Sequence, residues 1–137
     1  MNLSLHVQIV GALLVMLGAS HLFFDRYFGW HAELAGVSLL TRRIFFVHTF
    51  FIGLGVALAG AGSFLYADVL LRRGPLNRAL LAGLVVFWLC RLLAQFFAYD
   101  AAIWRGDAFR TFMHVAFALL WTYVTAVYAI ALCRIFE

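Results

Sequence analysis

The side chains best suited by type and spacing to do chemistry are His21, His48, Arg91, Gln95 and His114. Neutral imidazole ligates zinc, copper or iron, and three histidines from separate segments can hold a single transition metal ion with its fourth position open. Two of them on facing helices can hold haem b by axial ligation, with Arg91 on a propionate. The third chemistry is a quinone or lipid headgroup held by histidine and arginine, its tail enclosed by helix walls. The expected assignment is metal ligation by His21, His48 and His114, with Arg91 and Gln95 contacting the cofactor. All three chemistries are of redox type or serve binding.

Other reaction classes find little support. No HxxH or HxxxH pair exists on one segment, and five histidines are too few for a multi-histidine di-iron site. Ser20 neighbours His21 and Ser63 follows His48, yet no G-x-S-x-G elbow is present. Phosphate-binding loops, dinucleotide fingerprints and zinc-protease motifs are absent, as is any carboxylate pair at helical spacing.

The elements that must carry these residues follow from composition. The chain has 137 residues, 66% hydrophobic and only 12% charged, and its mean hydropathy is +1.01. A soluble domain runs at about 45–50% apolar and about 25% charged, so this is a membrane composition. The net charge of +4 comes from ten basic residues, all arginine, scattered between apolar stretches. That dispersal argues against a nucleic-acid partner. Crossing about 30 Å of hydrocarbon takes about 20 apolar residues. Four charge-bounded windows qualify, at about 3–24, 44–67, 79–99 and 111–133, the third interrupted only by Arg91. The expected fold is therefore all-α and polytopic, one domain over 1–137 arranged as an up-down bundle of four transmembrane helices. The first window is read as a retained helix and not a signal peptide, because no basic residue precedes it and it is too long.

Connector chemistry agrees with these windows. Gly74-Pro75 suits a turn with proline opening the third helix, and Gly106-Asp107 suits a helix stop followed by an N-cap. In segment 25–43, Tyr27, Trp30, Leu34, Val37 and Leu40 recur at spacings of three and four, the pattern of a short interfacial helix. Tyr27 and Trp104 are expected in an aromatic belt. Orientation is open: Arg72, Arg73, Arg78 and Arg134 lie on one side, and Arg26, Arg42, Arg43, Arg105 and Arg110 on the other. Cys90 and Cys133 lie at different depths, which argues against a disulfide.

Depth singles out the five polar residues. His21 lies four residues before Asp25, His48 five after Arg43, Gln95 five before Asp100 and His114 four after Arg110. Antiparallel threading puts these helix ends on one side, with the histidines and Gln95 roughly 6–8 Å below the interface and Arg91 about 13 Å. Faces were read from small residues, which permit close helix approach. Gly11, Leu14, Gly18 and His21 form one stripe, and His48, Gly55, Ala59 and Gly62 a second. Trp88, Arg91 and Gln95 form a third, and His114, Ala118, Trp121 and Thr125 a fourth. Asp100 falls on the face opposite Arg91 and is left out, while His6 is expected as a solvated terminal residue. The plain alternative is that the histidines are ordinary interfacial residues, Arg91 clasps a neighbouring helix, and the tryptophans only pack or mark the belt. The expected partners are the bilayer, a lipophilic small molecule, and a larger membrane complex or a second copy. A non-catalytic accessory or assembly subunit is the competing function.

Overall fold

The computed structural model describes residues 2–137. Among them the regular structure is entirely helical, in the order α1 (Leu3–Phe28), α2 (Trp30–Glu33), α3 (Leu39–Leu65), α4 (Ala67–Leu70), α5 (Pro75–Phe97), α6 (Ala101–Trp104) and α7 (Ala108–Phe136). The four long helices α1, α3, α5 and α7 are each long and apolar enough to cross a membrane. The chain divides into two compact units, Leu5–Ala67 and residues 2–4 with Asp68–Glu137.

Each long helix runs past a charged residue at one or both ends of its window, although α3 and α5 stop short of Asp68 and Asp100. Helix α1 continues through Asp25 and Arg26 to Phe28, and α3 begins at Leu39, before Arg42 and Arg43. A charge near a membrane helix end does not by itself end the helix; the end falls where a cap satisfies the orphan backbone groups or a glycine turns the chain. Ser38 caps α3 by accepting from the Thr41 amide, and Gly29, at φ 66°, takes the left-handed conformation that ends α1. The interfacial helix expected across 25–43 is consequently reduced to the single turn α2. Tyr27, Trp30 and Leu40, expected on one stripe of it, belong to three different helices. The other two signals hold: Pro75 opens α5, and Asp107 caps α7 by accepting from the Arg110 amide at 2.9 Å.

In the first unit α1 and α3 run antiparallel at backbone contact. A Cβ added at Gly11 would meet the backbone at Gly60 and Phe64, and one at Gly18 would meet Gly53 and Ala57, all within 2.5–2.9 Å. The α1 stripe of Gly11, Gly18 and His21 therefore faces α3 as expected. On α3, however, the contact stripe is Gly53, Val56, Gly60 and Ser63, all buried. Gly55 and Gly62 have open space around them, and His48 is exposed. Helix α3 carries two glycine pairs seven residues apart, 53/60 and 55/62, and only the first complements Gly11 and Gly18.

In the second unit α5 and α7 are antiparallel, with Trp88 opposite Trp121 and Arg78 opposite the α7 C-terminus. The Arg78 guanidinium lies 4.6 Å from the Phe136 ring centroid and donates to the Ile135 carbonyl at 3.4 Å. The core of α7 is Trp121, Val124, Val127, Tyr128, Ala131 and Ile135. Cys90 and Cys133 are free thiols.

Candidate functional site

Helices α5 and α7 bring three of the five expected site residues together. Arg91 Nη1 lies 3.3 Å from Gln95 Oε1, one turn along α5. Gln95 Nε2 lies 2.9 Å from His114 Nδ1 on α7. Guanidinium can only donate, so the amide oxygen must face Arg91 and the amide N–H₂ must face His114. His114 Nδ1 is then the acceptor, and its remaining ring proton sits on Nε2. The hydrogen-bond chain thus sets the tautomer and leaves the imidazole presenting an N–H. Gln95, at 4% relative exposure, is the buried centre of the chain.

Aromatic rings enclose this chain. Trp104 stacks on His114 at 4.4 Å with planes 10° apart, and Phe96 meets the same ring edge-on at 6.4 Å. The Arg91 guanidinium lies 4.7 Å from the Trp121 ring centroid and 5.7 Å from that of Tyr99. Trp121 in turn stacks between Trp88 at 5.2 Å and Phe117 at 5.7 Å. Among the described residues no carboxylate pairs with Arg91; the ion pairs are His31–Asp25 and Arg110–Asp107. Ring faces stabilise the cation instead, by about 0.5–2 kcal/mol each according to desolvation.

Trp104 owes its position to the loop between α5 and α7. Asp100 caps the single turn α6 by accepting from the Ala102 amide at 2.9 Å. Gly106, at φ 91°, reverses the chain into α7. Thr111 Oγ1 then donates to the Trp104 carbonyl at 2.8 Å, and Arg110 donates to that of Ile103 at 3.3 Å. These bonds pin α6 against the first turns of α7 and lay the indole over His114. Trp104 is therefore a wall of the polar cluster. Nothing in the sequence pattern signals this, because the placement depends on a four-residue helix. Trp88 and Trp121 do share helical stripes with Arg91 and His114, a spacing that packing residues also show.

The cluster is rich in donors and poor in acceptors. The indole Nε1 atoms of Trp88, Trp104 and Trp121 are buried without a hydrogen-bond partner, as is Thr125 Oγ1. With Arg91 and the His114 Nε2–H, these groups favour an electron-rich oxygen or an anion.

The two remaining histidines belong to the first unit. His21 Nδ1 hydrogen-bonds the Leu17 carbonyl at 2.8 Å, and its ring lies 4.5 Å from Phe24. His48 is exposed, and no hydrogen bond or ion pair engages it among the described residues. No group of three or more His, Cys, Asp or Glu side chains that could hold a metal ion is assembled among the described residues. The common depth read from the charges also changes once the helix ends are known. Gln95 stands about 3 Å from the end of α5, Arg91 and His114 about 9 Å, His21 about 10 Å and His48 about 13 Å from their own helix ends. His6, expected as solvated, is half-buried. Comparison with protein-family models, curated proteins and solved structures finds no match for this chain.

Proposed function

We propose that the α5–α7 unit binds the carbonyl-bearing headgroup of a lipophilic molecule, a quinone in the first instance, with Arg91 and His114 Nε2–H as its hydrogen-bond donors. The observation that carries this reading is the Gln95 bridge, which presents the cluster as donors. A metal or haem iron needs a lone pair at His114 Nε2. That would require a proton on Nδ1 and an acceptor where Gln95 offers its amide N–H. The donor set thus supports a carbonyl ligand over the metal ion and haem also expected from the sequence.

The test is titration of the detergent-purified full chain with a short-chain benzoquinone, followed by tryptophan quenching. Saturable quenching is expected in the wild type and at least about tenfold weaker binding in Arg91→Leu, the cost of one charge-assisted hydrogen bond. Non-saturable quenching, or equal affinity in the two proteins, would overturn the reading.

One observation favours an accessory or assembly role as well. His48 is an exposed imidazole five residues past Arg43 in a helix long enough to span a membrane, and a partner helix from a larger complex or a second copy would supply the hydrogen bond that hydrocarbon cannot. Crosslinking from a cysteine placed at position 48 would report such a neighbour, and absence of any crosslink in native membranes would remove this second reading.

A further inference from the structure

The connector between α1 and α3 carries a second feature, independent of the α5–α7 cluster. A cleft of about 210 Å³ opens there, lined by His31, Arg42, Arg43 and Phe46. Its walls are held in place: His31 stacks on Phe46 at 4.6 Å with planes 27° apart, and His31 Nδ1 hydrogen-bonds Asp25 Oδ1 at 2.6 Å. The lining contains two guanidinium groups and no carboxylate, and the neighbouring Asp25 is already engaged by His31. Arg42 and Arg43 make no ion pair among the described residues. A free phosphate or a phosphate ester fits this chemistry, since guanidinium binds phosphate oxygens in a fork.

What lies beneath the cleft distinguishes the two. Arg43 sits in the second turn of α3, close to the end of a helix long enough to span a membrane. Val47, Phe50 and Leu54 follow it at spacings of four, three and four, which puts them on one helix face. All three are exposed, at 53%, 50% and 40%. A cationic headgroup site thus continues into an apolar stripe that runs down the helix, the outline of a phospholipid and not of an inorganic ion. A zwitterionic lipid would bring an ammonium group that finds no carboxylate in the lining.

We infer that this cleft is a binding site for an anionic phospholipid, with its phosphate on Arg42 and Arg43 and an acyl chain along Val47, Phe50 and Leu54. The site recognises the lipid by charge at the interface and by shape within the bilayer. It requires nothing of the α5–α7 cluster, so either site can fail without the other.

The test is calorimetric titration of dihexanoyl phosphatidylglycerol into the detergent-purified full chain. Arg42→Gln with Arg43→Gln should weaken binding about thirtyfold, the effect of two interfacial arginines, and Arg43→Gln alone about fivefold. The control pair Arg72→Gln with Arg73→Gln removes the same charge from the other end of the spans and should change affinity by about twofold or less. The single variant serves if the double one does not fold, because the Arg43 side chain is exposed and makes no bond that folding needs. Dihexanoyl phosphatidylcholine should bind more weakly than the glycerol lipid, and glycerol phosphate, which has no chains, more weakly still. Equal losses in the two arginine pairs would show undirected charge attraction and overturn the proposal. Glycerol phosphate or inorganic phosphate binding as tightly as the lipid would make this a free-phosphate site and overturn it equally.

Discussion

Gln95→Leu is the substitution that most directly probes the α5–α7 cluster, because Gln95 is buried and joins the other two polar residues. Leucine keeps the volume and helix propensity and removes both hydrogen bonds. The bond from the Arg91 guanidinium belongs to the charged class, worth about 1.5–3 kcal/mol, and its length of 3.3 Å puts it at the weak end. The 2.9 Å bond to His114 belongs to the neutral class, about 0.5–1.5 kcal/mol. Their loss leaves His114 Nδ1 without its donor, while the guanidinium keeps the Trp121 and Tyr99 faces and can turn toward them. Burying a leucine side chain where an amide was returns about 1 kcal/mol. The net expectation is a loss of about 1–2 kcal/mol.

Reversible unfolding in mixed micelles, followed by tryptophan fluorescence, measures this loss. Leu93→Ala, on the exposed side of the same helix, should cost about 1 kcal/mol or less and serves as reference. A double-mutant cycle of Gln95→Leu with His114→Leu isolates the bond between them and should give a coupling of about 1 kcal/mol. If Gln95→Leu unfolds within about 0.5 kcal/mol of the wild type, or the cycle closes without coupling, the chain from Arg91 to His114 does not exist in the folded protein. The reasoning about the histidine tautomer then falls with it.

Glycine substitutions in the first unit should differ in sign. Gly11→Ala and Gly60→Ala place a methyl within 2.5–2.8 Å of facing atoms and should destabilise by at least about 2 kcal/mol, whereas Gly55→Ala and Gly62→Ala, with open space, should be neutral or up to about 1 kcal/mol stabilising in the same unfolding assay. Trp121→Leu removes a 3%-exposed ring that touches Trp88, Phe117 and Arg91, and should cost about 3 kcal/mol; Trp121→Phe, which keeps a ring face, should cost about half as much. Arg91→Leu should reduce quinone affinity by at least about tenfold, while Arg134→Leu, an exposed position near the other end of α7, should leave it within about twofold. Thr111→Val removes the hydroxyl that holds the Trp104 carbonyl and should cost about 1 kcal/mol, with Trp104 fluorescence shifting to longer wavelength as the ring leaves His114.

Legibility in the sequence followed the physics of each signal. Four apolar windows imply four helices because a span must satisfy its own backbone in hydrocarbon, and the structure has those four. Their ends lie beyond the charges because arginine and aspartate at a membrane interface tolerate helix, so α1 runs through Asp25 and Arg26 and α3 starts before Arg42 and Arg43. Arg91, Gln95 and His114 were legible as a group because one turn of α5 aligns the first two and antiparallel pairing delivers the third. His48 lies off the stripe that meets α1, and spacing alone does not show this because α3 presents two glycine pairs seven residues apart. Only the partner's Gly11 and Gly18 select between them, and that choice is tertiary. Trp104 was out of reach for a related reason: its position over His114 comes from Gly106 and from two side-chain bonds to carbonyls, not from any periodicity.

The tryptophans bear on function through the cost of what they leave unsatisfied. A buried donor without an acceptor costs roughly 1–3 kcal/mol. The indole N–H groups of Trp88, Trp104 and Trp121 are three such donors, and Thr125 adds a hydroxyl. Packing alone would be served as well by phenylalanine, of which the chain already has fifteen. Indole here adds a donor at a place where a donor is a liability until an acceptor arrives. A ligand that brings carbonyl oxygens removes part of that cost and so stabilises the folded state beyond the contacts it makes. Thermal unfolding of the purified chain should therefore shift upward with benzoquinone concentration. The same shift should be smaller in Trp104→Phe, which keeps the stacking on His114 and lacks the N–H. An equal shift in both proteins would mean that Trp104 serves the site by its ring face alone.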